Sequence, residues 1–306
     1  MDLPILAICT DGTNPFPERN SLKTEYKRLT ACEKTLKKNE KAVQKVQTLL
    51  AKLPAAEDVM TKLSLTDKKN VTAAEKAYNP LTEDQRTFLT EDEHAKMQAN
   101  SERMQTLIEG ETLIKAAEKA IKSLPADTKI KATDSKKLET AQDAYDKVKN
   151  SEDGLTIDPK LAEKFETSRT AYYAYQQQAE DFRSEYLNAL PENANAVTAE
   201  YETAIPAART AYKALSKNVQ SFIEKAEVSH LSACEKTLKK SKSAAVKVDK
   251  LIAKLPADVS AEFTAKDEKA INAAWKAYSK LTSEQKTFLE DEQHLLDCYN
   301  KAYPEG

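Results

Sequence analysis

Apolar residues recur along most of this chain at alternating intervals of three and four, the spacing that gathers side chains on one face of an α-helix. One such run is Leu29, Cys32, Leu36, Asn39, Val43, Val46, Leu50 and Leu53. Another, in the same register, is Leu231, Cys234, Leu238, Ser241, Ala245, Val248, Ile252 and Leu255. Each ends at a Leu-Pro pair, which recurs at Leu53-Pro54, Leu124-Pro125, Leu190-Pro191 and Leu255-Pro256. Proline cannot donate a backbone hydrogen bond and turns the preceding residue away from helical angles, so each pair predicts a helix end. A shorter amphipathic run follows every pair: Val71, Ala74, Tyr78, Leu81; Leu138, Ala141, Tyr145, Val148; Ile205, Ala208, Tyr212, Leu215; and Ile271, Ala274, Tyr278, Leu281. Thr66 and Thr133 are expected to cap the first two of these helices. Pro206 predicts a late start or a kink in the third.

The tyrosines of the short runs, Tyr78, Tyr145, Tyr212 and Tyr278, lie 67, 67 and 66 residues apart. Repeats one and four are closest, because Ala31–Lys38 returns unchanged at Ala233–Lys240. Leu-Thr-x-x-Gln-x-Thr-Phe-Leu at Leu81–Leu89 also returns at Leu281–Leu289. Identity of this length at a fixed period implies duplication. Thr82 with Gln85, and Thr282 with Gln285, read as capping boxes opening a third helix. No proline interrupts Phe88–Leu124 or Phe222–Leu255, so the third helix of one repeat is expected to run on as the first helix of the next. The expected fold is all-α: a tandem array of four three-helix bundles joined by shared continuous helices, a spectrin-like layout. At ~1.5 Å per residue, a shared helix of about 40 residues spans roughly 60 Å, and the array forms a monomeric rod on the order of 110–120 Å long. The repeats are placed at 19–90, 91–157, 158–223 and 224–306, with boundaries inside shared helices and an irregular lead-in at 1–18.

Composition agrees with this reading. Only 4 glycines occur in 306 residues, too few for the hairpin turns of a sheet-rich fold or the phosphate loops of nucleotide-binding folds. A formal charge of −2 provides no global field for nucleic acid or anionic lipid. No run of about 18 apolar residues is present to cross a membrane. Seven lysines against two acids between Glu235 and Lys254 face five acids against one lysine between Glu284 and Asp297. These runs are expected to be opposed faces of one bundle, each exposed pair contributing ~0–1 kcal/mol.

The pattern Leu-Pro, Thr-Asp-x-x-x-(Val/Ile)-x-x-Ala-x-x-Ala-Tyr, Leu-Thr-x-x-Gln-(Arg/Lys)-x-Phe resembles the helical repeat modules of large Gram-positive cell-surface proteins. The resemblance covers Leu53–Phe88 and Leu255–Phe288 best. Repeat two departs from it, with Val148-Lys149-Asn150 and an insertion through Pro159 in place of the Leu-Thr-x-x-Gln box. It implies a non-catalytic, extracellular, rod-like module that binds or spaces, an adhesin-type function, with a host protein such as immunoglobulin as the specific partner. The shared-helix layout also looks like spectrin repeats, which are longer than 67 residues; an intracellular structural scaffold is the alternative.

Residues for other chemistry are sparse. His94 and His294 share a repeat position beside the same acidic cluster and are expected to be structural. His230 is read as having no cysteine or acid beside it to form a ligand set. The insertion Ser151–Asp158 lacks the alternating ligands of a calcium loop. No phosphate loop or nucleophile elbow occurs. No enzyme activity, metal or cofactor is therefore expected. Cys32 and Cys234 fall on the seam, while Cys9 and Cys298 fall off it; no internal disulfide is expected. Candidate partner contacts are the residues that break the repeat on exposed positions. Trp275 replaces Glu75, Gln142 and Arg209, and is expected to face solvent. Phe165, Tyr172, Tyr175, Phe182 and Tyr186 take core positions, and Tyr173 lies off that seam. Tyr172 and Tyr173 together could present an aromatic contact surface.

Overall fold

A computed structural model describes residues 19–151 and 153–304; the lead-in at 1–18, with Cys9, lies outside the described residues. Among the described residues the chain is all-helical, with no strand. The α-helices are α1 (Arg19–Leu50), α2 (Val59–Lys62), α3 (Lys68–Tyr78), α4 (Glu83–Arg86), α5 (Glu91–Ser123), α6 (Ser135–Lys149) and α7 (Pro159–Phe182). They continue with α8 (Ala204–Ala214), α9 (Lys217–Gln220), α10 (Lys225–Ile252), α11 (Ala265–Tyr278), α12 (Ser283–Lys286) and α13 (Glu292–Ala302). A π-helical turn, Arg183–Leu187, extends α7.

The chain forms two compact units. One takes in the described residues up to Lys115 and those of the segment Ser151–Leu155; the other takes in Ala116–Asn150 and the described residues from Thr156 onward.

In the first unit, Val43, Val46, Leu50 and Leu53 of the α1 end pack with Val71 and Ala74 of α3 and with Met97 and Met104 of α5. The earlier half of the same stripe is uncovered: Leu29 is 58% and Leu36 46% exposed. Cys32, expected on a buried seam, is exposed as well. Its register is apolar, but burial needs an opposing helix as well as a register, and this core begins only at Val43. The insertion after α6 folds onto α5 through an Arg103–Asp153 ion pair of 3.0 Å. Gly110 makes room for it, since a Cβ there would stand 3.0 Å from Leu155 Cδ2. Gly154 turns the insertion with φ +62°, a left-handed conformation that a side chain would strain.

The second unit holds four apolar clusters. Ile121, Leu124, Leu138, Ala141 and Phe165 form the first, and Ala179, Phe182, Val219 and Ile223 the second. Leu190, Val197, Ile205, Ala208, Leu231, Cys234 and Leu238 form the third. The fourth contains Val248, Ile252, Leu255, Ile271, Ala274, Tyr278, Leu295 and Cys298. Helix α10 packs against α8 with its first half and against α11 with its second. Phe165 and Phe182 are buried, as their 3-4 spacing predicts. Helix α8 starts at Ala204, so Pro206 sits in its first turn, where a missing N–H breaks no helical bond. The late start is the outcome, rather than a kink.

Helix starts differ from expectation by a turn. Thr82 Oγ1 accepts from the Gln85 amide at 3.3 Å and Gln85 Oε1 from the Thr82 amide at 3.0 Å, but this box opens only the single-turn α4. The chain breaks after it so that Leu89 can enter the core, and a second box, Thr90 with Glu93, opens α5. Thr66 and Thr133 do not cap α3 and α6. The chain enters each helix through a 3-10 turn, and the carboxylates of Asp67 and Asp134 reach back to the amides of Ser64 and Lys131. In repeat four the equivalent pair, Thr264 and Asp267, forms a complete box.

Candidate protein-binding face

Two positions with polar or aromatic cross-helix contacts recur in every repeat. The first is the proline carbonyl of each Leu-Pro stop, which a third-helix side chain satisfies. Asn100 Nδ2 donates to Pro54 O at 2.9 Å, and Ser168 Oγ donates to Pro125 O at 3.1 Å. His230 Nε2 lies 2.8 Å from Pro191 O, and Cys298 Sγ lies 4.0 Å from Pro256 O, a weak contact. A buried carbonyl without a donor costs about 1–3 kcal/mol, so the position demands a donor while leaving its type free. Cys298, expected off the seam, is fully buried in the fourth cluster beside Leu295.

His230 also lies 3.6 Å from Cys234 Sγ, one helical turn away, and His294 lies 3.9 Å from Cys298 Sγ. The reading of His230 as lacking a nearby cysteine is thus corrected: His-x-x-x-Cys occurs twice in the sequence. Burial pushes both thiols up, which disfavours the thiolate, the nucleophilic form. No group of three metal-ligating side chains exists among the described residues. His94 is held between Tyr78 Oη at 2.6 Å and Arg86 O at 3.1 Å, which engages both ring nitrogens structurally.

The second recurring position is the one where Trp275 stands. Glu75 accepts from Ser101 Oγ at 2.5 Å, Gln142 from Arg169 at 3.3 Å, and Arg209 donates to Glu235 at 2.7 Å. Trp275 stacks on Tyr299 with ring centroids 3.8 Å apart and planes 14° from parallel. The exchange of residue type across repeats is matched each time on the next long helix, α5, α7, α10 or α13. Trp275 does not face solvent; it is half-buried against the fourth cluster, with Tyr278 5.2 Å away.

Tyr173 is different. It is 58% exposed and meets no apolar cluster. Its ring stands perpendicular to Tyr172 at 5.5 Å, and Tyr172 in turn packs on Phe222 at 5.0 Å. The two tyrosines form one wall of a groove of about 320 Å³ between α6 and α7, which Ser135, Leu138, Glu139, Gln142, Asp143 and Gln176 complete. Burial raises the Tyr172 phenol above its ordinary range against an opposing hydrogen bond with Ser135, so it stays protonated. Neither Glu139 nor Asp143 forms an ion pair with another described residue, leaving the rim acidic. The structure thus brings Tyr172 and Tyr173 together and leaves Trp275 in a separate cluster. A wider groove of about 500 Å³ between α8 and α10 is lined by Ile205, Pro206 and Leu238 and by the charged Arg209, Glu235, Lys239 and Lys242.

No helix among the described residues is long and apolar enough to cross a membrane. Comparison of the chain with protein-family models, curated proteins and solved structures finds no match.

Proposed function

We propose that this chain is a non-catalytic helical-repeat module that binds a protein partner through the α6–α7 face. The observation that carries this is the exposed Tyr173, backed by Tyr172 and set above an acidic rim, whereas the repeat-breaking Trp275, Phe165 and Phe182 are absorbed into packing. Tyrosine offers a large, rigid contact at low entropic cost, and its backing ring limits the freedom that binding must remove. Glu139 and Asp143 favour a basic segment on the partner. The finer architecture belongs to the same proposal: four three-helix bundles sharing helices α5, α7 and α10, arranged as a rod that holds this face away from its anchorage. Helix α10, which packs on α8 and α11 in turn, supports it. The sequence resemblance supports placement on a bacterial cell surface and a host extracellular protein, immunoglobulin in particular, as the partner.

The test is titration of immobilised chain with purified immunoglobulin and with fractionated serum proteins. Saturable binding weakened about tenfold or more by Tyr173→Ala, with unchanged helicity, is expected. Binding indifferent to Tyr172→Ala and Tyr173→Ala removes this face, and a compact globule in solution scattering removes the rod.

A further inference from the structure

Repeat one and repeat four carry the same face, covered in one case and bare in the other. In α10, Leu231, Cys234 and Leu238 are 1%, 0% and 8% exposed, closed over by Ile205, Ala208 and Val197 from the preceding repeat. Their counterparts Leu29, Cys32 and Leu36, in a stretch that includes the identical Ala31–Lys38, are all exposed. The difference extends beyond one helix. Phe288 packs against the preceding repeat's cluster, whereas its counterpart Phe88 is 47% exposed. Thr287 Oγ1 accepts the Ala199 amide of the preceding repeat at 2.9 Å, and Ser221 accepts that of Ala132 at 3.0 Å. All three hydroxyls donate locally, Thr287 to Glu284 O, Ser221 to Asn218 O and Thr87 to Asp84 O, but among the described residues Thr87 accepts no such loop amide. Glu227 takes Arg183 of the preceding repeat at 2.7 Å, while its counterpart Glu25 pairs, among the described residues, within its own helix, with Arg28.

We propose that the face formed by Glu25, Leu29, Cys32 and Leu36 of α1 with Thr87 and Phe88 is a docking site for the first two helices of another repeat of this same kind. The occupant is defined by what covers the duplicate: an arginine at the end of its first helix, a free loop amide after Leu-Pro, and a second helix with the Ile205-Ala208 pattern. A second copy of this chain is disfavoured, because its own helix pairs are already closed. Helix α8 is covered by α10 and α11 by α13, while α3 is tied to α5 through Glu75–Ser101 and α6 to α7 through Gln142–Arg169.

The test compares the 306-residue chain with a variant in which residues 158–224 replace residues 1–22. Lys23 then follows that stretch as Lys225 does. Maleimide labelling, resolved by peptide mass spectrometry, reads each thiol. In the parent chain Cys32 is expected to label fast and Cys234 slowly. In the graft, Cys32 labelling should fall by at least about tenfold, because reaction then requires local opening of the interface. Leu29→Glu with Leu36→Glu in the graft should restore the fast rate. Equal labelling of Cys32 in parent and graft overturns the proposal, as does a parent Cys32 already as protected as Cys234. Protection in the parent that grows with protein concentration assigns the face to a second copy and overturns it too. A graft that does not fold also counts against it, since its junction reproduces one that folds in α10.

Discussion

Trp275 offers the sharpest test of how these repeats are built. If its ring is part of a cross-helix pair with Tyr299, removing it costs stability; if it is a partner contact, removal leaves the fold alone. The stack, with centroids 3.8 Å apart and planes 14° from parallel, is a close, near-parallel pair, and aromatic pairs are worth about 0.5–1.5 kcal/mol beyond area burial. Half-burial of the indole against the fourth cluster adds roughly 1–2 kcal/mol at about 25 cal/mol per Å². Trp275→Ala should therefore cost roughly 2–3 kcal/mol. Tyr299→Ala should cost somewhat less, and the double variant should fall short of their sum by about 1 kcal/mol. Replacing both with repeat one's pair, Trp275→Glu with Tyr299→Ser, should leave the protein more stable than Trp275→Glu alone, because a Glu–Ser hydrogen bond of the kind seen at Glu75–Ser101 can form. Urea unfolding followed by far-ultraviolet circular dichroism measures all of these, since the only tryptophan is lost with the mutation. Additive single effects, or a Trp275→Ala cost below about 0.5 kcal/mol, would refute the pairing and return Trp275 to the partner-contact candidates.

Three further outcomes follow from the same geometry. Tyr278 donates to Glu292 Oε1 at 2.6 Å, and that hydrogen bond, with burial, pushes its phenol up to about 12. Its contribution is complete below the unfolded value near 10 and is lost as pH rises toward 12, so Tyr278→Phe should flatten the fall in Tm across that window. Arg183 binds Glu227 through Nε and Nη2, Glu180 through Nη1 and the Phe222 carbonyl through Nη2. Burial pushes the Glu227 carboxyl up, but hydrogen bonds from Arg183 and the Glu224 amide outweigh it and hold the carboxyl below its ordinary value. Arg183→Ala should cost about 2 kcal/mol at neutral pH, Arg183→Lys should recover only part, and the loss should shrink as pH falls through the Glu227 range, as thermal melts would record. Asn100→Leu strands the Pro54 carbonyl and should cost about 1–3 kcal/mol by urea unfolding, more than Asn100→Ser, which keeps a donor there.

Much of the local structure was legible from periodicity. The Leu-Pro stops, the tyrosine-bearing second helices and the buried Phe165 and Phe182 are all consequences of a 3-4 pattern and of proline's covalent geometry. Helix starts were less legible. A threonine three residues before a glutamine signals a cap but not how long the capped helix will run, and Leu89 cut α4 to a single turn. The candidate face was visible in part: Tyr173 stood off the seam by register alone. The groove beneath it needed α6 and α7 side by side. The His-x-x-x-Cys pairs were in the sequence at one-turn spacing and could have been found there.

By itself, then, the sequence determined the repeat, its period and which side of each helix is apolar, because these depend on interactions between residues a turn or two apart. Whether an apolar side is buried was decided only in three dimensions. Identical residues at Ala31–Lys38 and Ala233–Lys240 leave Cys32 exposed and Cys234 buried. Trp275 likewise looks like a solvent-facing exception until Tyr299 is placed on it. Burial is a property of two surfaces, and a helix carries the pattern of only one of them.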